Sequence, residues 1–377
     1  MTRGHYSIFR VLFGAYLLVH FVQLAPWAAE VFSNRGVLPR GGVSPLLHFP
    51  NLLACCDSPA FITGMIAVAA GLSVAFLAGY RDRAAALGLW YVWACLLGRN
   101  PLIANPSLPY VGWMLLAHAC VPSRRGLPRE VWRAAWILLA AGYSYSGCTK
   151  LLSPSWQDGT AILKMVSNPL GRAGAAHALL LSLPPVVFKL AAWAALSLEL
   201  LFAPLALQRR LRPWLWSALL AMHLSLIVLV DFADLSLGMV LIHLFTFDPA
   251  WIRPRRGVPG TVLFDGGCGF CHGFARFVLD EEPPGVGFLF APLAGEETLE
   301  VLTADGRRLQ RSAAVLHILD HLGGVWRLLA AAGRLAPLWM ADGIYSAVAR
   351  FRRRLAPAQA GSCPLPEGKG GGRARSV

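Results

Sequence analysis

Long apolar runs fill the first 250 residues of this chain. They constrain it more than any motif does, because backbone inside a bilayer has to satisfy its own N–H and C=O groups, as a helix or a closed barrel. The runs lie at 6–29, 59–79, 84–104, 107–121, 131–151, 185–207, 213–230 and 235–248. Each is read as a helical span, about eight in all. The fourth is short and carries Pro109. The first is too long for the apolar core of a signal peptide and lacks a small-residue cleavage site, so it is expected to remain as a span. A length of 377 residues allows two or three domains. With 56% hydrophobic and only 14% charged residues, unevenly spread, the chain reads as a polytopic α-helical membrane domain at 1–252 with a soluble C-terminal part.

In a soluble chain a net charge of +14 would suggest nucleic acid. Here the arginines stand in loops between apolar runs, where membrane topology accounts for them, and no nucleic-acid partner is expected. Arg3 and Arg10, then Arg81 and Arg83, then Arg124, Arg125, Arg129 and Arg133, then Arg209, Arg210 and Arg212, and finally Arg253, Arg255 and Arg256 fall on one side of an eight-span arrangement. The alternate loops are poorer in positive charge. This bias puts the N-terminus and the C-terminal domain in the cytoplasm, with the chain integral to a bilayer, the bacterial inner membrane.

Residues 253–260, with Pro254, Pro259 and two glycines, read as a linker. After it, 261–264 reads as a buried strand, Gly266 and Gly267 as a turn, and Phe270, Phe274, Phe277 and Val278 recur at helical spacing. Cys268 and Cys271 therefore sit where a helix starts after a strand. Free N–H groups and the dipole at a helix start stabilise a thiolate, which is the nucleophile in disulfide exchange. Two intervening residues let the second thiol reach back and resolve a mixed disulfide. The other reading is half of a structural zinc site, for which His272, His317, His321 and Cys363 could supply further ligands at irregular spacing. Asp265 is either a buried proton acceptor for the second thiol or a turn residue ahead of the glycine pair. Further on, 286–290 reads as a strand, and 299–303 and 307–310 as a hairpin about Asp305-Gly306. Ser312 is placed to cap a helix through Leu322, with further helices over 324–334 and from Pro337 to Leu355, and a flexible tail at 357–377.

Several spaced motifs in this region resemble the DCC thiol-disulfide oxidoreductases: Asp265-x-x-Cys268-x-x-Cys271, Arg311-Ser312-Ala-Ala-Val-Leu-His-Ile-Leu319, Asp342-x-x-Tyr345-x-x-Val348-Ala-Arg350, and the late Cys363. The resemblance implies a small thioredoxin-like α/β domain over 261–356 and a redox-active Cys pair. It also implies roles near that pair for Asp265 and, on the substrate side, for Arg311 and Ser312. No Val-Pro precedes a strand opposite the pair, and Pro292 is the nearest candidate.

The membrane part resembles the HTTM domain, related to vitamin K-dependent γ-carboxylases. The stretches that carry this are Tyr143-Ser-Tyr-Ser-Gly-Cys-Thr-Lys150 with Trp156 and Gly159, His223 followed by Ser236-Leu-Gly-Met239, and Arg99-Asn100-Pro101. The resemblance implies Lys150 as a base towards a reduced quinone, at the outer end of the fifth span, and also lends support to His223 as a functional residue. Such a base needs a dry environment. The chain lacks the large lumenal region with which the carboxylases hold a protein substrate.

The expectation is an integral-membrane thiol-disulfide oxidoreductase in which Cys268 attacks and Cys271 resolves. Dithiol exchange requires no cofactor, and its partner is a disulfide-bearing protein or a small thiol. The alternative is quinone-linked chemistry at Lys150 with the C-terminal domain as redox partner. A third reading is a non-enzymatic membrane redox sensor.

Overall fold

A computed structural model describes residues 2–355, apart from 40–43, 45, 47, 122–125, 232, 256 and 294–297. It divides into two compact units, Tyr6–Phe247 on the one hand and Met1–His5 with Asp248–Val377 on the other.

The first unit is helical. Its longer helices are α1 (Arg3–Leu24, which starts in the other unit), α2 (Pro59–Ala78), α3 (Asp82–Arg99), α4 (Leu108–Cys120), α5 (Arg129–Leu151), α6 (Pro185–Leu200), α7 (Arg212–Leu229) and α8 (Ala233–Thr246). Prolines at the first turns of α2, α4, α6 and α7 start helices where a missing N–H costs nothing. Phe13, Phe21, Phe76, Phe202 and Phe245 are fully buried, and edge-on pairs such as Phe9 with Phe245 and Phe13 with Phe76 build the core. Helix α8 packs against α4, α5 and α7, and α5 packs against α6. At the α5–α6 crossing Gly147 lets the backbones close up: a Cβ there would lie 2.5 Å from the Leu200 nitrogen.

The span count is corrected. Every apolar run forms helix, but among the described residues only three helical stretches are long and apolar enough to cross a bilayer: Arg3–Phe32, Pro59–Ala78 and Arg212–Leu229. A fourth is possible if Ala175–Leu181 and Pro185–Leu200, bent by 101° at their break, are taken as one. The reasons differ from run to run. Helix α4 has 13 residues and α8 has 14, so at 1.5 Å per residue each is about 20 Å long, short of a hydrocarbon core of about 30 Å. Helix α3 carries Asp82, Arg83 and Arg99, and α5 ends in the polar stretch Tyr143–Lys150. Helix α6 stops at Leu200, and a short helix, Phe202–Ala206, restarts around Pro204.

The second unit is a four-stranded sheet with helices. Its elements are β1 (Gly257–Asp265), α9 (Gly269–Glu281), β2 (Val286–Leu293), β3 (Glu300–Leu302), β4 (Arg308–Gln310), α10 (Arg311–Leu322), α11 (Gly324–Gly333) and α12 (Leu338–Leu355). The strand order is β2-β1-β3-β4, with β1 parallel to β2 and the other pairs antiparallel. Alternation along β1 buries Val262 and Phe264, which join Val278 of α9, Phe288 of β2, Val301 of β3 and Ile318 of α10 in the core.

Half of the stretch read as a linker is strand, since β1 begins at Gly257, with a register shift between Gly257 and Gly260. Gly260 has φ +121°, and a Cβ on it would lie 2.2 Å from the Leu302 carbonyl oxygen. The glycine that suggests a linker thus lets β1 pass close to β3 beside its irregular pairing with β2. Gly260→Ala is expected to destabilise this unit by at least about 1–3 kcal/mol, read as a lower midpoint in urea unfolding.

Arg255, counted above as a topological charge, pairs at 2.8 Å with buried Asp320, which Arg327 and Arg334 also engage. Three guanidinium groups thus compensate one desolvated carboxylate.

Candidate functional site

The site is built at the C-terminal end of β1. The strand delivers Asp265, and the Asp265 side chain folds the chain back by accepting the Gly267 N–H at 2.9 Å. The Cys268 N–H then closes the turn on the Asp265 carbonyl at 3.3 Å. Cys268 is the N-cap residue of α9, in extended conformation, and its carbonyl accepts the His272 N–H at 3.1 Å. Cys271 lies in the first turn of α9. The two cysteines differ in exposure, because Cys268 is 2% exposed whereas Cys271 is half-buried.

The Asp265 side chain thus shapes the turn through its hydrogen bond to Gly267. His272, considered above only as a metal ligand, braces the same turn. Its Nε2 hydrogen-bonds the Gly266 carbonyl at 2.9 Å, and its ring meets Phe264 edge-on. His317 Nε2 engages the Pro259 carbonyl and His321 Nδ1 the His317 carbonyl. Among the described residues no three His, Cys, Asp or Glu side chains are grouped to hold a metal ion. Cys363 lies outside the described residues.

Arg311 and Ser312 start α10. Ser312 does not cap this helix; the N-cap residue is Gln310. Instead the Ser312 hydroxyl and N–H donate to Asp342 of α12 at 2.5 and 3.2 Å. The Ser312 hydroxyl holds the Asp342 carboxyl below the usual aspartate range. Arg311 is exposed, with φ +54° in the left-handed region that a non-glycine residue rarely adopts, and its N–H donates to the Leu299 carbonyl. Tyr345 accepts the Leu299 N–H on its hydroxyl at 2.8 Å. The motif residues Ser312, Asp342 and Tyr345 therefore tie α12 to the start of α10 and the entry to β3.

Lys150 and His223 belong to the helical unit. Lys150, at the end of α5, pairs with both carboxylate oxygens of Glu199 on α6, and its Nζ stands 4.8 Å from the Trp156 ring centre. His223 of α7 is buried and hydrogen-bonds the Tyr143 hydroxyl through Nε2 at 2.9 Å. The same hydroxyl lies 3.4 Å from Nε2 of His243, whose Nδ1 takes the Met239 carbonyl. His223 Nδ1 is buried with no hydrogen-bond partner among the described residues. Glu199 escaped the sequence reading although it carried a signal, a lone carboxylate inside the apolar run 185–207.

Comparison with known proteins bears on the C-terminal part. A family profile described as DCC1-like thiol-disulfide oxidoreductase matches residues 262–357. The uncharacterized protein YuxK of Bacillus subtilis (strain 168) is 30% identical over 111 residues, which cover 25% of this chain and 80% of that protein. No solved structure matches the chain.

Proposed function

Since the chain belongs, through residues 262–357, to the DCC1-like thiol-disulfide oxidoreductase family, we propose that it is a membrane-integral enzyme exchanging thiols and disulfides through Cys268 and Cys271. The observation that carries this reading is the place of the pair, with Cys268 as N-cap of α9 directly after the central strand β1 and Cys271 one turn on. The strand order β2-β1-β3-β4, with a parallel β1–β2 pair bridged by the dithiol helix, supports a thioredoxin-like domain.

In the proposed cycle the Cys268 thiolate attacks one sulfur of a substrate disulfide. The substrate S–S bond breaks, one substrate thiol leaves with a proton, and a mixed disulfide forms. The Cys271 thiolate then attacks Cys268 Sγ, releases the second substrate thiol and closes Cys268–Cys271. The substrate has gained two electrons, and an external dithiol or a pair of small thiols resets the enzyme. Because Cys268 is almost fully buried, attack on a substrate follows a local opening that uncovers its sulfur. Asp265 and His272, which hold the Gly266-Gly267 turn ahead of it, position the thiol. Full-length Cys268→Ser protein is expected to reduce a disulfide substrate at the uncatalysed rate in a dithiol-driven assay. Undiminished reduction would reject the proposal.

The bilayer assignment rests on the three apolar helical stretches. Residues 2–5 and the dithiol domain form one compact unit, so the chain crosses an even number of times between them, which favours counting the bent pair as a fourth crossing. Arg3 at the start of α1 and Arg253 and Arg255 ahead of β1 support a cytoplasmic location for that unit. Peptide-resolved labelling of Cys271 in intact cells tests this, with a permeant maleimide reacting and an impermeant one not.

The second reading, quinone-linked chemistry at Lys150, draws on the orphaned His223 Nδ1. The residues fit it poorly, because the Lys150 amine is already engaged by both oxygens of Glu199.

A further inference from the structure

Helix α12 leaves an apolar face uncovered. Met340, Ile344, Val348 and Phe351 recur at i, i+4, i+8 and i+11, which puts them on one stripe. All four are exposed, Ile344 at 67%, and Trp339 at the start of the helix is 75% exposed. The opposite side of the helix is already used: Asp342 holds Ser312 and Tyr345 holds the Leu299 N–H. These anchors orient the helix so that the stripe faces away from its own unit. A run of positive charge, Arg350, Arg352, Arg353 and Arg354, ends the helix. Cations at a helix C-terminus complement its dipole, but that does not account for the stripe beside them.

We propose that α12 is an interfacial helix, laid on an anionic lipid surface with Met340, Ile344, Val348 and Phe351 in the headgroup–acyl boundary and Arg350 on the phosphates, within a strongly basic helix end. An apolar stripe with aromatic residues, continued by a cluster of basic side chains, is the pattern that binds such a surface. A parallel pairing with a second copy of the chain is disfavoured by charge, since it would bring the two arginine-rich segments together. The proposal rests on the reading of the chain as membrane-integral, which brings a bilayer within reach. Its consequence is that the dithiol works close to the membrane plane.

The test uses the full-length protein, reconstituted in vesicles of phosphatidylglycerol or of phosphatidylcholine, with Ile344 replaced by photoreactive benzoylphenylalanine. Ser346, an exposed polar position off the stripe, serves as one control. Val228 of α7, exposed on an apolar helix able to cross the bilayer, serves as the other. Lipid adducts are expected at 344 in phosphatidylglycerol and not at 346. Arg350→Glu with Arg354→Glu is expected to lower the yield at 344 by at least about tenfold. Adducts at 228 with none at 344 overturn the interfacial helix and leave the membrane reading standing. Absence at both positions overturns both. Adducts at 344 to another protein chain, or a yield indifferent to lipid charge and to the arginines, also overturn the proposal.

Discussion

Cys271→Ala protein, offered a disulfide substrate, is expected to accumulate a mixed disulfide through Cys268 and to lose multiple-turnover exchange by at least about a hundredfold. The attack step needs only Cys268, so the first substrate thiol should still be released at nearly the normal rate. Resolution needs a second thiol within one helical turn, and the variant has none at that place. Non-reducing mass spectrometry of the quenched reaction reads the adduct, and peptide mapping assigns its sulfur. The experiment also decides the order of attack, which the two kinds of observation weight differently. The N-cap position favours Cys268 as nucleophile. Burial favours Cys271, which is the more exposed of the two. If Cys268→Ala rather than Cys271→Ala traps substrate, the roles are exchanged. If neither traps, the pair does not carry exchange.

Glu281→Ala should cost the dithiol domain about 1–3 kcal/mol or more, the range for leaving a buried donor without its acceptor. Glu281 ends α9, the helix that begins at the thiols, and is 5% exposed. Its carboxylate accepts from the Gly4 N–H at 2.8 Å, the Thr2 hydroxyl at 2.6 Å and Trp326 Nε1 at 2.8 Å, and pairs with His5 Nδ1 at 3.1 Å. Without it the buried Trp326 Nε1 loses its acceptor and buried His5 its carboxylate partner. Burial alone would push this carboxyl up. The hydrogen bonds from His5, Thr2, Trp326 and the Gly4 N–H together outweigh burial and hold it below the ordinary glutamate value. A carboxyl whose folded value is depressed stabilises the fold fully above its unfolded value, about 4.3, and loses that contribution as pH falls through the folded value. Stability of the native chain should therefore fall on acidification below about pH 4.3, and Glu281→Gln should flatten that limb. Urea midpoints, followed by exchange protection in the sheet, measure both effects. A Glu281→Ala midpoint equal to wild type would show that the N-terminal residues do not complete this domain.

The local features were legible. Val262 and Phe264 alternate as a half-buried strand does, Asp305-Gly306 marks the hairpin, and the spacing of Phe270, Phe274 and Phe277 shows the helix behind the thiols. Membrane crossings were less legible, because an apolar run shows that a segment avoids water but not where its helix stops. The helix after Pro185 ends at Leu200, inside the run, and α4 spans only 13 residues. Gly257 and Gly260 resembled a linker because a bulged strand and a flexible joint use the same residue.

What the order of residues determined by itself is the chemistry that short range can specify: two thiols at a strand-to-helix turn, a Cys-bearing α/β domain after a helical one, and basic ends on apolar helices. Tertiary structure alone decided the partners. Glu281 meets His5 across 276 positions, Ser312 turns from a cap into a ligand of Asp342, and Lys150 finds Glu199 on another helix. The physical reason is range. Backbone preference and side-chain period act over a few residues, whereas a buried charge is satisfied by whatever the folded chain brings within about 3 Å of it.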